Sequence, residues 1–221
     1  MTQAMRVVVL ASGRGSNLGA LIAAQRKSDA RFEIVLVAGD RSEAPALRLA
    51  EEAGIATLAL DPRGYPDRAS YDADLFARVA AYAPDLVVLA GFMRILDPGV
   101  LAPWVGRMIN VHPSLLPKYR GLRTHERAIK AGDALHGASV HFVTPELDGG
   151  PVIAQADLAV EAGDTPATLA ARLLPLEHRL LAATVDLFAQ RRIALDGDGV
   201  RFDGALLATP LRVNAPFSPA R

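Results

Sequence analysis

Two short runs, VVVL at 7–10 and LVVL at 86–89, are apolar at every position. A strand with one wet face alternates apolar and polar residues. A run that is apolar throughout needs both faces covered, which is the condition of a parallel strand lying between layers of helix. Around these runs, short apolar segments alternate with amphipathic ones. Strands are predicted over 6–11 (RVVVLA), 32–38 (FEIVLVA), 56–60 (ATLAL), 85–90 (DLVVLA) and 107–112, with helices near 17–27, 43–53, 69–82 and 98–104. The alternation predicts an α/β fold with a doubly wound, mostly parallel central sheet flanked by helices.

After about residue 135 the pattern changes. ASVHFVT (138–144) and VIAQADLAV (152–160) read as two strands joined by Pro-Glu-Leu-Asp-Gly-Gly, a hairpin or long turn that gives the fold an antiparallel C-terminal part. A long helix is predicted over about 165–191, with Thr165 as its cap and Pro166 in its first turn. DGDG at 196–199 suggests a short hairpin ahead of a proline-bearing tail. With no repeat, low-complexity tract or linker, the expectation is one domain over residues 1–221.

Composition narrows the function classes. The 24 basic and 24 acidic residues balance, so nothing draws the chain generally to nucleic acid or an anionic membrane, although a local charged patch stays open. Cysteine is absent, which excludes disulfides, thiolate catalysis and sulfur-ligated zinc. The first apolar run is too short for a signal segment, and no window approaches the roughly 18 apolar residues of a membrane span. A cytoplasmic protein is expected.

Three stretches carry chemistry. Ser12-Gly13-Arg14-Gly15-Ser16-Asn17 lies between the first strand and the first helix, where backbone N–H groups and a helix dipole can face an anion. Taken alone it equally fits a tight turn with Ser16 or Asn17 as N-cap. A dinucleotide fingerprint fails at Leu18 and a triphosphate loop lacks its lysine, so a site for one phosphate monoester fits better. In NVHP, Asn110 and His112 point the same way at a strand end that Pro113 terminates. An amide and an imidazolium there could both bond an oxyanion at an attacked carbonyl, or could simply satisfy turn backbone groups. Asp148 in ELDGGP could favour the charged form of His112 and relay a proton, although Asp-Gly is also an ordinary turn pair. The other histidines, 125, 136, 141 and 178, form no metal pattern, and His141 reads as a packed or hydrogen-bonded ring.

In this order SGRGSN (12–17), LVVLAGFMRIL (86–96), INVHPSLLPKYRG (109–121), HGASVHFVTPELDGGPVI (136–153) and the Glu-His of LLPLEHRL resemble the phosphoribosylglycinamide formyltransferases. The likeness runs from near residue 5 to about 195. It implies a formyltransferase-like fold, with the ribonucleotide phosphate site mainly in the N-terminal half and the folate and catalytic loops over about 85–155. It further implies that Asn110, His112 and Asp148 form the catalytic trio, and that Gly15, Ser16, Asn17 and Glu177 hold the ribonucleotide. The folate side would comprise Arg68, Met93, Arg94, Ile95, Leu96, Asn110, Thr144, Pro145, Glu146, Leu147 and Asp148, with His141 in a supporting place.

The implied activity transfers the formyl group of 10-formyltetrahydrofolate, a co-substrate, to the amine of N1-(5-phospho-D-ribosyl)glycinamide, without a metal, in a monomer or homodimer. The alternatives are a 10-formyltetrahydrofolate hydrolase or another formyltransferase using the same donor. Two residues depart from the pattern: Arg120 stands where a proline is common and Arg123 where many relatives have histidine.

Overall fold

The computed structural model describes residues 3–213. The chain packs as two compact units that divide between Asn110 and Val111. In the first, β1 (Met5–Leu10), β2 (Phe32–Gly39), β3 (Thr57–Ala59), β4 (Leu86–Leu89) and β5 (Met108–His112) lie in the order β5-β4-β1-β2-β3. The β1–β2, β1–β4, β2–β3 and β4–β5 pairs are all parallel. Val7 to Leu10 and Leu86 to Val88 are buried on both faces, as their unbroken apolar runs require. Helices α1 (Ser16–Gln25), α2 (Pro45–Glu52) and α3 (Arg68–Ala80) make the crossovers.

The expected helix near 98–104 is instead two short 3-10 turns, Pro98–Val100 and Ala102–Trp104. Pro98 and Pro103 remove two N–H donors, so an α-ladder has too few bonds to propagate across seven residues. The cap of α1 also differs from expectation. Gly15, at φ 77, is the N-cap, and Ser16 and Asn17 are already helical.

In the second unit, β6 (Leu135–Phe142) and β7 (Val152–Ala159) pair antiparallel, and β11 (Leu211–Arg212) lies parallel to β7 on its other side. The turn between β6 and β7 depends on Gly150. A Cβ there would sit 2.0 Å from the Phe142 carbonyl oxygen, so any side chain would push the hairpin apart. Helix α4 (Thr124–Ala131) precedes β6, and α5 (Pro166–Ala189) follows β7 with a Thr165–Thr168 capping box, bearing out the expected start. Leu169, Leu173, Leu180, Leu181 and Val185 form the buried stripe of α5. The expected hairpin around 196–199 is present: β8 (Ile193–Asp196) pairs with β9 (Gly199–Phe202), and β10 (Ala205–Leu206) completes a small antiparallel sheet. The last stretch of the proline-bearing tail lies outside the described residues. No helix among the described residues is long and apolar enough to cross a membrane.

Candidate active site

β5 ends at His112 because Pro113 has no N–H to continue the ladder. Asn110, two residues earlier on the same strand, is half-buried, and His112 is buried. Asp148 sits on the β6–β7 turn at φ 48, a left-handed conformation that aspartate tolerates better than most residues. Its Oδ2 lies 3.4 Å from His112 Nδ1 and accepts a 2.8 Å bond from the Gly121 N–H. Its Oδ1 lies 3.6 Å from His141 Nε2. His141 in turn donates from Nδ1 to the Phe142 carbonyl at 2.8 Å, which orients the ring. The structure thus brings His112, Asp148 and His141 together, with each side chain less than a tenth exposed.

The tautomer of His112 follows from its neighbours. Nε2 is 2.9 Å from the Tyr119 carbonyl oxygen, which can only accept, so Nε2 carries the proton. Burial pushes the imidazole below its ordinary range, opposed by the Asp148 carboxylate and the Tyr119 carbonyl. The ring is therefore neutral in the free protein, with the Nδ1 lone pair towards Asp148. The Asp148 carboxylate thus favours the charged ring while burial opposes it. Burial would also raise Asp148, but bonds from His141 and the Gly121 N–H, with the adjacent imidazoles, bring it below its ordinary value. An ionised carboxylate thus faces a neutral imidazole at a distance that one proton on Nδ1 would close.

The segment 113–123 covers His112 and is itself fastened. Ser139 Oγ donates to the Ser114 carbonyl and accepts from the Leu116 N–H, and Gln155 Nε2 bonds the Leu116 carbonyl, all within the buried interior. Further along, Asp133 takes bonds from Lys118 and Tyr119, and Arg120 pairs with Glu146. Arg120 therefore ties the segment to the 144–148 turn, a contact no proline could make. Arg123 occupies the N-cap position of α4 at φ 57. Thr144 bonds the Glu146 carbonyl at 3.4 Å, while Pro145, Glu146 and Leu147 are exposed.

In the first unit, the loop after β4 is held at both ends. Met93 N–H donates to Ser12 Oγ at 3.1 Å, and Asp97 N–H donates to Asp72 Oδ2 at 2.7 Å. Arg68 approaches Asp97 at 3.6 Å, and the Arg94 guanidinium lies 4.7 Å from the Tyr71 ring centroid. Leu96 is buried, whereas Met93 and Ile95 are exposed apolar side chains on the same loop. Asp72 escaped the sequence reading. A detectable signal existed, because Asp72, Leu75, Phe76 and Val79 share the buried stripe of α3, and a carboxylate has no ordinary place there. Burial raises its pKa.

Gly15 is fixed by backbone geometry and by space, since a Cβ would lie 2.9 Å from Ala46 Cα. No side chain at the N-cap position bonds the first turn of α1. Gly13 has nothing within 4 Å of its Cβ direction. On α5, Glu177 is a buried carboxylate inside the apolar stripe. Among the described residues no cluster of three or more histidine, cysteine or acidic side chains could hold a metal ion.

Similarity to known proteins agrees with this arrangement. Residues 5–185 match the formyl transferase family model. The chain is 45% identical over 203 residues to phosphoribosylglycinamide formyltransferase of Escherichia coli (strain K12), covering 92% of this chain and 96% of that protein. Its structure is similar to the phosphoribosylglycinamide formyltransferase of Coxiella burnetii, with a TM-score of 0.89 and 44% identity over 93% of this chain and 97% of that one. A formyltetrahydrofolate deformylase from Pseudomonas syringae pv. tomato is also similar, at TM-score 0.82 and 27% identity, with 91% of this chain and 66% of that one covered. By family model, sequence and fold, the chain belongs to the phosphoribosylglycinamide formyltransferase family.

Proposed function

We propose that this protein transfers the formyl group of 10-formyltetrahydrofolate to the amine of N1-(5-phospho-D-ribosyl)glycinamide, a step of purine biosynthesis. The observation that carries the proposal is the buried His112–Asp148 pair, closing at 3.4 Å at the end of the strand that also bears Asn110. Attack by the amine puts negative charge on the former carbonyl oxygen. Asn110 supplies an amide donor to that charge. His112 is the switchable partner: burial keeps it neutral at rest, and a nearby oxyanion raises its pKa just when a proton must be taken up. Asp148, held ionised, then stabilises the proton on Nδ1 and helps to pass it from the incoming amine to the leaving nitrogen.

In this reading Gly15, Ser16, Asn17 and Glu177 bind the ribonucleotide, the phosphate lying at the start of α1. Arg68, Met93, Arg94, Ile95 and Leu96 with Asn110 and residues 144–148 take the folate. The whole chain acts as one catalytic domain, on small molecules alone, in the cytoplasm, as a monomer or homodimer. No metal takes part in this chemistry.

The test follows 10-formyltetrahydrofolate consumption with and without the ribonucleotide. Loss that requires the ribonucleotide and yields its formylated amine supports the proposal. Loss that ignores it would convert the reading to a hydrolase, in which water replaces the amine.

A further inference from the structure

Ser12 bonds through its N–H, its hydroxyl oxygen and its carbonyl, two of these bonds reaching the 91–93 segment and the third Arg41. Its N–H donates to the Gly91 carbonyl at 3.1 Å, its Oγ accepts from Met93 N–H at 3.1 Å, and its carbonyl accepts from the Arg41 guanidinium. The side chain is 1% exposed, so no solvent molecule substitutes for a lost partner. Ser12 is also the first residue of the glycine loop, and Gly13 beyond it is tied through its carbonyl to Ala46 N–H at 3.2 Å. The loop proposed for the phosphate and the loop proposed for the folate head are thus fastened to each other through one residue, by two bonds, one to Gly91 and one to Met93. Gly91 stands at φ 76, a conformation that glycine adopts without strain.

We propose that Ser12 is a positioning residue that couples the two substrate half-sites, so that seating the ribonucleotide phosphate on residues 13–17 pre-orders the folate loop 91–96. The inference rests on the formyl-transfer reading and deepens it. Ser12 touches neither reacting group. An anion that immobilises the glycine loop removes motion from Ser12, and through its N–H and hydroxyl from Gly91 and Met93. The second ligand then meets a loop already ordered, and its binding loses less conformational entropy. Replacing the hydroxyl leaves Met93 N–H without its acceptor and cuts one of the two ties. By linkage the effect is reciprocal: folate must tighten the ribonucleotide by the same factor.

The experiment measures the Kd of a non-reactive folate analogue by calorimetry, with and without saturating ribonucleotide, in wild type, Ser12→Ala and Ser12→Thr. Wild type should bind the analogue at least about fivefold tighter when the ribonucleotide is present. In Ser12→Ala that ratio should fall towards one, with the ribonucleotide's own Kd changed less than about twofold, and Ser12→Thr, which keeps the hydroxyl, should recover part of it. If Ser12→Ala does not fold, Arg41→Ala loosens the same residue from its carbonyl side and should lower the ratio. A ratio near one in wild type, or a ratio that these variants leave unchanged, overturns the coupling. If both ligands bind and turnover proceeds, that failure leaves the formyl-transfer reading intact. If wild type binds neither ligand, both fall.

Discussion

The His112 imidazole donates from Nε2 to the carbonyl oxygen of Tyr119 at 2.9 Å, across a chain reversal of seven residues. That bond fixes the neutral tautomer and leaves Nδ1 to Asp148. Titration of the ring by nitrogen-15 NMR should show Nε2–H in the neutral form and a pKa below the ordinary histidine value. Asp148→Asn removes the carboxylate that partly offsets burial, so the His112 pKa should fall further. A rise in that variant would mean Asp148 does not act on the ring.

Turnover should respond more than binding to loss of this pair. His112→Ala and Asp148→Asn should each lower kcat by about a hundredfold or more, the usual cost of removing a positioned group that moves a proton in the transition state. The ribonucleotide KM should change little, because what is lost is proton handling in the transition state and not ground-state binding. Near-normal kcat in either variant would end its assignment.

The two glycines at 13 and 15 separate affinity from folding. Gly13→Ala adds a Cβ into open space, so it should leave Tm unchanged while raising the ribonucleotide KM. Gly15→Ala combines φ 77 with a 2.9 Å approach to Ala46 Cα, so it should lower Tm as well. Equal Tm values would show that the α1 start relaxes around a side chain.

Acid should destabilise the protein through a second histidine pair. His125 Nδ1 and His136 Nε2 are 2.9 Å apart, and burial lowers the pKa of both rings, that of His136 to about 4. The unfolded chain takes up these protons near pH 6.5, whereas folded His136 resists until about 4. The contribution is therefore fully present above pH 6.5 and lost as pH falls towards 4. Urea unfolding at pH 8 and pH 5 should show the drop, and His136→Gln should reduce it.

Much of the first unit could be read from the chain because its parallel strands are apolar on both faces, and Val7–Leu10 or Leu86–Leu89 have no other stable use. Asn110 and His112, two apart before a proline, and Asp148, before two glycines, could be picked out as candidates by spacing and punctuation, and the family resemblance alone joined them as a trio. Tertiary bonds were not visible. Ser12 and Asp72 act through backbone groups tens of residues away, and no local period records a hydrogen bond to Met93 or Asp97. The balance of effects on His112 was hidden for the same reason. A neighbouring carboxylate can be guessed from sequence, but the burial that outweighs it depends on what folds over the ring.

The cover over His112 is sealed unevenly. Near Ser114 and Leu116 it is stitched to Ser139 and Gln155 in the dry interior, while its tip rests on the exposed Arg120–Glu146 pair and the Gly121 amide. Exposed ion pairs give way long before buried networks do. A peel that started at the tip would strip Tyr119 from the imidazole and Gly121 from the carboxylate together, so the His112–Asp148 pair would be bared in one motion.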